Sequence, residues 1–374
     1  MSSAAPAQRN TSERYNISTI SLITVAVAVL IAVVFAPANV FGLRRFAQSS
    51  WAAIGSRGRA LSSASPAVAA SQSSALEGDK MRTPIYFLSH GGPNIMYDYD
   101  HPAYKELSRI GKEITTKVKP RAVVVFSAHW QAGVDTVQVN TAEMTELIYD
   151  FYGFPSHYYK EKYPNVGSRE IANKVLDAFK QAGIKAEGVK RGLDHGVWAS
   201  FKCGMREILV DARFEANRRA AFDPEKNPLN VPIVQVSLFN TEDPMQHYRL
   251  GEAVSKLREE NILIIVSGMA VHNLRDMQFT FGNPRPLPYT ASFDEALKDA
   301  ATKPPAERPQ AMVDLLKRGD ARQAHPSFDH LLPIHVGAGA AGDDRGKRLW
   351  TLKEGSLSWA QYRFGAVNNA SSAL

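Results

Sequence analysis

Three histidines each follow a short apolar run. His90 ends the segment 84–90 and is followed by Gly91, Gly92 and Pro93. His129 ends the Val-rich run 121–129 and is followed by Trp130. His272 leaves the run 262–268 after a slightly longer exit. Neutral imidazole is the commonest side-chain metal ligand, so three rings delivered to one place would hold a transition metal. A fourth context differs. His195 lies in a glycine-flanked turn, Gly192, Leu193, Asp194, His195, Gly196, ahead of an apolar segment. An imidazole beside an acidic neighbour in such a turn is suited to move a proton, and equally to cap the helix or add a ligand. The single cysteine, Cys203, excludes an intrachain disulfide framework and any multi-cysteine zinc or iron–sulfur site. Zinc or iron would therefore rest on histidines and carboxylates.

The elements that must position these rings are strands. Runs of β-branched residues without polar alternation, as at 121–126 and 262–266, read as strands buried on both faces, the pattern of a parallel sheet. Between the His90 and His129 runs, Leu107, Ile110, Ile114 and Val118 recur at helical spacing, which gives a β-α-β unit with a right-handed crossover. Ligands bind outside the carboxyl ends of the strands of an open α/β sheet, so distant residues can converge there. Further helices are expected over 168–182, 244–259, 292–303 and 305–317, and further strands over 136–139, 184–189 and 231–238. The expected fold is α/β, a mainly parallel central sheet flanked by helices. The polar run 211–230 reads as a surface excursion, the proline-rich stretch 280–289 as a loop able to act as a lid, and the small-residue run 336–343 as close helix packing. The aromatic segment 147–155 either plugs the domain edge or lines a pocket for a flat ring. His101, His157 and His247 are expected on polar or helical surfaces without a role.

The first 80 residues stand apart. Residues 17–36 are free of charge, rich in Val, Ala and Ile, and long enough as a helix to cross a bilayer. Arg44 and Arg45 follow, and residues 46–74 are rich in Ala and Ser. The expectation is a single-pass N-terminal membrane anchor on a low-complexity linker, or alternatively a cleaved bipartite presequence directing the protein to a plastid or other organelle. The formal charge of +7 lies largely here. Residues 1–80 carry seven of the 44 basic and three of the 37 acidic residues, which leaves 37 − 34 = +3 for the body. No basic stripe interleaved with aromatics is present, so no nucleic-acid partner is expected.

The motifs around His90 (Leu-Ser-His-Gly-Gly-Pro), His129 (Phe-Ser-Ala-His-Trp), Tyr149 to Pro155, His195 (Asp-His-Gly-Val-Trp) and His272 (Val-His-Asn-Leu) occur in one order over about residues 83–360. This set resembles the class III extradiol ring-cleavage dioxygenases, in particular the branch of the 4,5-DOPA extradiol dioxygenases. The resemblance implies a single catalytic domain over 81–374 and a non-heme metal: Fe(II) for ring cleavage, with Zn(II) able to occupy the same site. It implies His90, His129, His272 and His330 as metal ligands, His195 as the acid-base residue, and a small catechol with O2 as substrates. Tyr149, Asp150 and Tyr152 are pocket candidates. Two positions depart from the family pattern: Gly92 stands where Ser is usual, and Asp329 precedes His330 where Glu is usual.

A diol and dioxygen together need three positions on a six-coordinate iron, which leaves three for the protein. Non-heme iron is commonly held by two histidines and a carboxylate, yet no acidic residue shares the strand-end context here. Either His272 or His330 is then the third ligand. An all-histidine set also suits zinc, so a zinc-dependent hydrolase on the same residues is the alternative.

Overall fold

The structure is a computed structural model and describes residues 82–163, 165–203, 229–280 and 283–367. Its strands are β1 (Ile85–Ser89), β2 (Ala122–Gln131), β3 (Thr136–Asn140), β4 (Lys185–Val189), β5 (Ile233–Leu238), β6 (Ile262–Gly268), β7 (Val271–His272), β8 (Gly346–Trp350), β9 (Lys353–Glu354), β10 (Leu357–Ser358) and β11 (Gln361–Phe364). Eight of them form one sheet in the order β4-β3-β5-β2-β6-β1-β11-β8, and β7, β10 and β9 form a small second sheet.

The expected sheet needs correction. Its parallel parts are the central block β5-β2-β6-β1 and the outer pair β3-β4. β3 runs antiparallel to β5, and β11 is antiparallel to both β1 and β8, so the sheet is mixed. The physical reason is connection length: a parallel neighbour needs a crossover of a dozen or more residues, and only four residues separate β2 from β3. The chain therefore comes back in the opposite direction, one position beyond β5.

Helices cover both faces. They are α1 (Pro102–Glu113), α2 (Arg169–Gln181), α3 (His195–Cys203), α4 (Pro244–Val254), α5 (Leu274–Thr280), α6 (Pro288–Ala301), α7 (Arg308–Leu315), α8 (Ala321–Ala324) and α9 (Leu332–Ala340). The pleat of β2 shows the layering: Val124 and Phe126 join one core with Val175 of α2, Leu250 of α4 and Ile334 of α9. Val123 and Val125 join the other, with Leu107 of α1 and Trp198 of α3. The small-residue run does pack as expected. A Cβ on Gly339 would come within 1.9 Å of the Tyr248 carbonyl oxygen, and one on Gly251 within 1.9 Å of that of Val336, so α9 and α4 meet backbone to backbone.

Two histidines expected at the surface are placed otherwise. His247 is fully buried, with Nδ1 2.8 Å from the Asp243 carbonyl oxygen. His101 caps α1 by accepting from the Ala103 N–H and lies 3.2 Å from Glu354. Cys203 simply packs, and burial pushes its thiol pKa well up.

The membrane anchor is a further correction. Among the described residues no helix is long and apolar enough to cross a membrane, so the expected single-pass anchor finds no support there. Residues 17–36, like the whole 1–80 segment with its presequence alternative and most of the 211–230 excursion, lie outside the described residues.

Candidate active site

β1, β2 and β6 deliver the first parts side by side. In the register, Ser267 of β6 is level with Leu88 of β1 and with Ser127 of β2, so the exits of all three strands stand together. His90 follows β1 and His129 lies among the last residues of β2, with their Nε2 atoms 3.1 Å apart. His330 comes from the loop before α9. Its carbonyl accepts the Met269 N–H at 2.9 Å, and a Cβ on Gly268 would lie 2.2 Å from that oxygen, so glycine is what lets this loop close over the end of β6. His330 Nε2 is 3.3 Å from His129 Nε2, and ligand atoms of His90, His129 and His330 all lie within 4.8 Å of one another.

Hydrogen bonding decides which nitrogens carry protons. The Ser267 hydroxyl donates to the Gly196 carbonyl at 2.5 Å, so it can only accept from His90, whose Nδ1 is 2.9 Å away. Asp150 Oδ2 lies 2.9 Å from His129 Nδ1, and Asp329 Oδ2 lies 2.7 Å from His330 Nδ1. With a proton on each Nδ1, the three Nε2 atoms face one another as bare lone pairs. Burial, reinforced by the neighbouring rings, keeps the His90 pKa well below that of a free histidine, and burial lowers that of His330 despite Asp329. Burial also acts to lower that of His129, but the Asp150 hydrogen bond and the nearby carboxylates outweigh it and raise the pKa.

This donor set fits a metal ion. Two nitrogens each about 2.1 Å from an ion and about 90–110° apart lie roughly 3.0–3.4 Å from each other, the separation found here between lone pairs that have no proton to share. Carboxylates on the far nitrogens raise the basicity of the ligating ones.

The remaining expected residues fall into three groups. His272 does not join the three Nε2 atoms: held by its pairing with Leu357, its ring stacks on that of His330. His195 opens α3 with its ring centroid 4.2 Å from that of His129, and its polar partner is Asp150, not its sequence neighbour Asp194. Asp194 is fully buried and accepts from Ser127, Gln235 and Arg191. Burial acts to raise the pKa of Asp150, but hydrogen bonds from His129 and His195 prevail and hold it well below the usual carboxylate range. Tyr149 is committed elsewhere, donating to the Glu161 carbonyl at 2.7 Å, whereas Phe151 puts its ring 5.5 Å from that of His195. Tyr152 is 91 % exposed and is not brought to the histidines. Ser267, Asp329 as the partner of His330, and the close fit of Gly196 against the rings escaped the sequence reading. A Cβ on Gly196 would lie 2.8 Å from His129 Cδ2, and the Gly after His195 was the one available signal.

Residues 83–370 match the family model described as the catalytic LigB subunit of aromatic ring-opening dioxygenase. The chain belongs to this family. Its relatives include the 4,5-DOPA dioxygenase extradiol of Beta vulgaris, 33 % identical over 75 % of this chain and 95 % of that protein. The 4,5-DOPA dioxygenase extradiol of Escherichia coli is 28 % identical over 69 % of this chain and 85 % of the relative. A solved structure of an uncharacterized protein from Escherichia coli K12 superposes with a TM-score of 0.57 at 26 % identity, covering 76 % of this chain and all of the other. The ring-opening dioxygenase family thus fixes the class of chemistry: this is an extradiol dioxygenase, an oxidoreductase that incorporates molecular oxygen. The zinc-hydrolase alternative loses its ground.

Proposed function

We propose that the protein cleaves the aromatic ring of a catechol beside its diol, with both atoms of O2 entering a muconic semialdehyde, at one Fe(II) held by His90, His129 and His330. The observation that carries this is the set of three Nε2 atoms, each on a ring whose Nδ1 faces a hydrogen-bond acceptor, converging from β1, β2 and the loop before α9. Bound there, the ion would supply Lewis acidity and a common place for the diol and dioxygen. Three protein ligands leave room for both, and Zn(II) would fit the same nitrogens.

His195 supplies the proton chemistry. Its Nδ1–H donates to Asp150 at 2.9 Å, which leaves Nε2 as the acceptor. That nitrogen takes a proton from a catechol hydroxyl, the Asp150 carboxylate steadies the resulting charge, and the proton is returned as the ring opens. Phe151, packed against His195, excludes water on that side. His272 holds the His330 ring in place by stacking. The substrate class is catechols, with DOPA first because of the names its relatives carry.

The test is anaerobic loading of the purified protein with Fe(II) or Zn(II), then a catechol panel including DOPA followed by oxygen uptake and the yellow ring-fission product. Oxygen consumption by the Fe(II) form is expected. A zinc form that hydrolyses esters or amides, beside an Fe(II) form that consumes no oxygen with any catechol, would overturn the proposal.

A further inference from the structure

Asp150 touches two rings with different duties. Its Oδ1 accepts from His195 Nδ1 at 2.9 Å and from the His195 backbone N–H at 3.0 Å, while its Oδ2 lies 2.9 Å from His129 Nδ1. The other orienting groups, Ser267 and Asp329, each hold one ring. We propose that Asp150 is a positioning residue shared by the metal ligand His129 and the proton-transfer residue His195, fixing the tautomer of both at once. The inference rests on the roles just given to these histidines and adds that one carboxylate sets both.

The chemistry requires a carboxylate. Both its oxygens accept, so two Nδ1–H groups can be held together and both Nε2 atoms stay bare. An amide has one accepting and one donating end. Whichever ring faces its NH2 must present a bare Nδ1 and move its proton to Nε2. For His129 that blocks the ligating nitrogen. For His195 it removes the proton acceptor. With an Nδ1–H held by each oxygen, Asp150 acts from behind the rings.

The experiment compares the full-length protein with Asp150→Asn, His195→Ala and the double variant. Zinc affinity, from competition with a chromophoric chelator, should fall roughly 10- to 100-fold in Asp150→Asn and stay unchanged in His195→Ala. Turnover of DOPA or the best catechol of the panel at saturating Fe(II) should fall about 100-fold or more in Asp150→Asn, yet the double variant should be no slower than His195→Ala alone, because Asp150 acts on turnover through His195. A third readout needs no substrate. In zinc-loaded protein with 15N-labelled histidine, bound zinc keeps the His129 proton on Nδ1 and so turns the Asn oxygen toward His129. The Nδ1–H signal assigned to His195 by its absence from His195→Ala should therefore vanish in Asp150→Asn. Unchanged zinc affinity, a persisting His195 Nδ1–H signal, or multiplicative losses in the double variant overturn the shared role. Should Asp150→Asn not fold, the wild-type spectrum decides, since a His195 without a proton on Nδ1 overturns it as well. If no catechol is turned over, the proposed reaction fails, and the zinc and NMR measurements still decide the role of Asp150.

Discussion

His272 lies face to face on His330, with ring centroids 3.7 Å apart and planes 12° from parallel. The proposed site gives the two rings different parts: His330 turns its Nε2 toward His129, while His272 braces it from the side. His330→Ala is expected to retain almost no iron or zinc after dialysis, and His272→Ala to retain most of it. Metal analysis of the two variants checks this, and equal losses would make His272 a ligand in its own right.

Removing the proton acceptor should separate chemistry from metal binding. His195→Ala is expected to lower kcat roughly 100- to 10,000-fold with the metal content of the wild type. Normal turnover in this variant would take His195 out of the mechanism.

Gly196→Ala sets two magnitudes against each other. In a helix, alanine is favoured over glycine by about 1 kcal/mol. Against that, the added methyl would sit 2.8 Å from Ser127 Oγ, 2.8 Å from His129 Cδ2 and 3.2 Å from His90 Cε1, and overpacking of this kind costs about 1–3 kcal/mol. The crowded atoms belong to two of the three rings, so metal affinity is expected to drop by about tenfold or more, following the usual cost of disturbing a ligand's surroundings. Chelator competition reads the change, and wild-type affinity would refute the tight fit.

His335 should make the fold sensitive to acid. Burial, outweighing its hydrogen bond to the Met312 carbonyl, lowers its pKa to about 4, against 6.5 for the exposed side chain. Between these values the unfolded chain takes up a proton that the folded one refuses, so stability is complete above about pH 6.5 and declines toward pH 4, on the order of 3 kcal/mol for this residue. Urea unfolding midpoints of the wild type and His335→Phe across that range test it: the variant should show the flatter dependence.

How much of this was readable beforehand varied with burial. β1, β2 and β6 announce themselves because strands covered on both faces need unbroken apolar runs, and His90 and His129 follow directly from where those runs stop. α2 was equally plain, capped by Ser168 and lined by Ile171, Val175 and Phe179. The C-terminal strands β8 to β11 were not, since they are short and carry charged residues such as Lys347, Arg348 and Arg363 that leave no period-two signal. The antiparallel turn of β3 depended on a short connection, not on its own residues. At the site, the partner of His195 was misleading in sequence: Asp194 is adjacent along the chain, but Asp150, 45 positions away, holds the ring. The order of His272 and His330 about the centre was likewise beyond spacing, because it depends on how one loop crosses Gly268.

That crossing has a consequence for how the protein matures. His330 enters the centre 201 positions after His129, so a growing chain can possess the first two imidazoles long before the third exists. Any ion captured early would be held by an incomplete set and easily lost, and secure loading must wait until the last third of the polypeptide has been made and folded back. Once seated, the ion pins that late segment to the first two strands, so chelation should loosen the C-terminal end of the domain first.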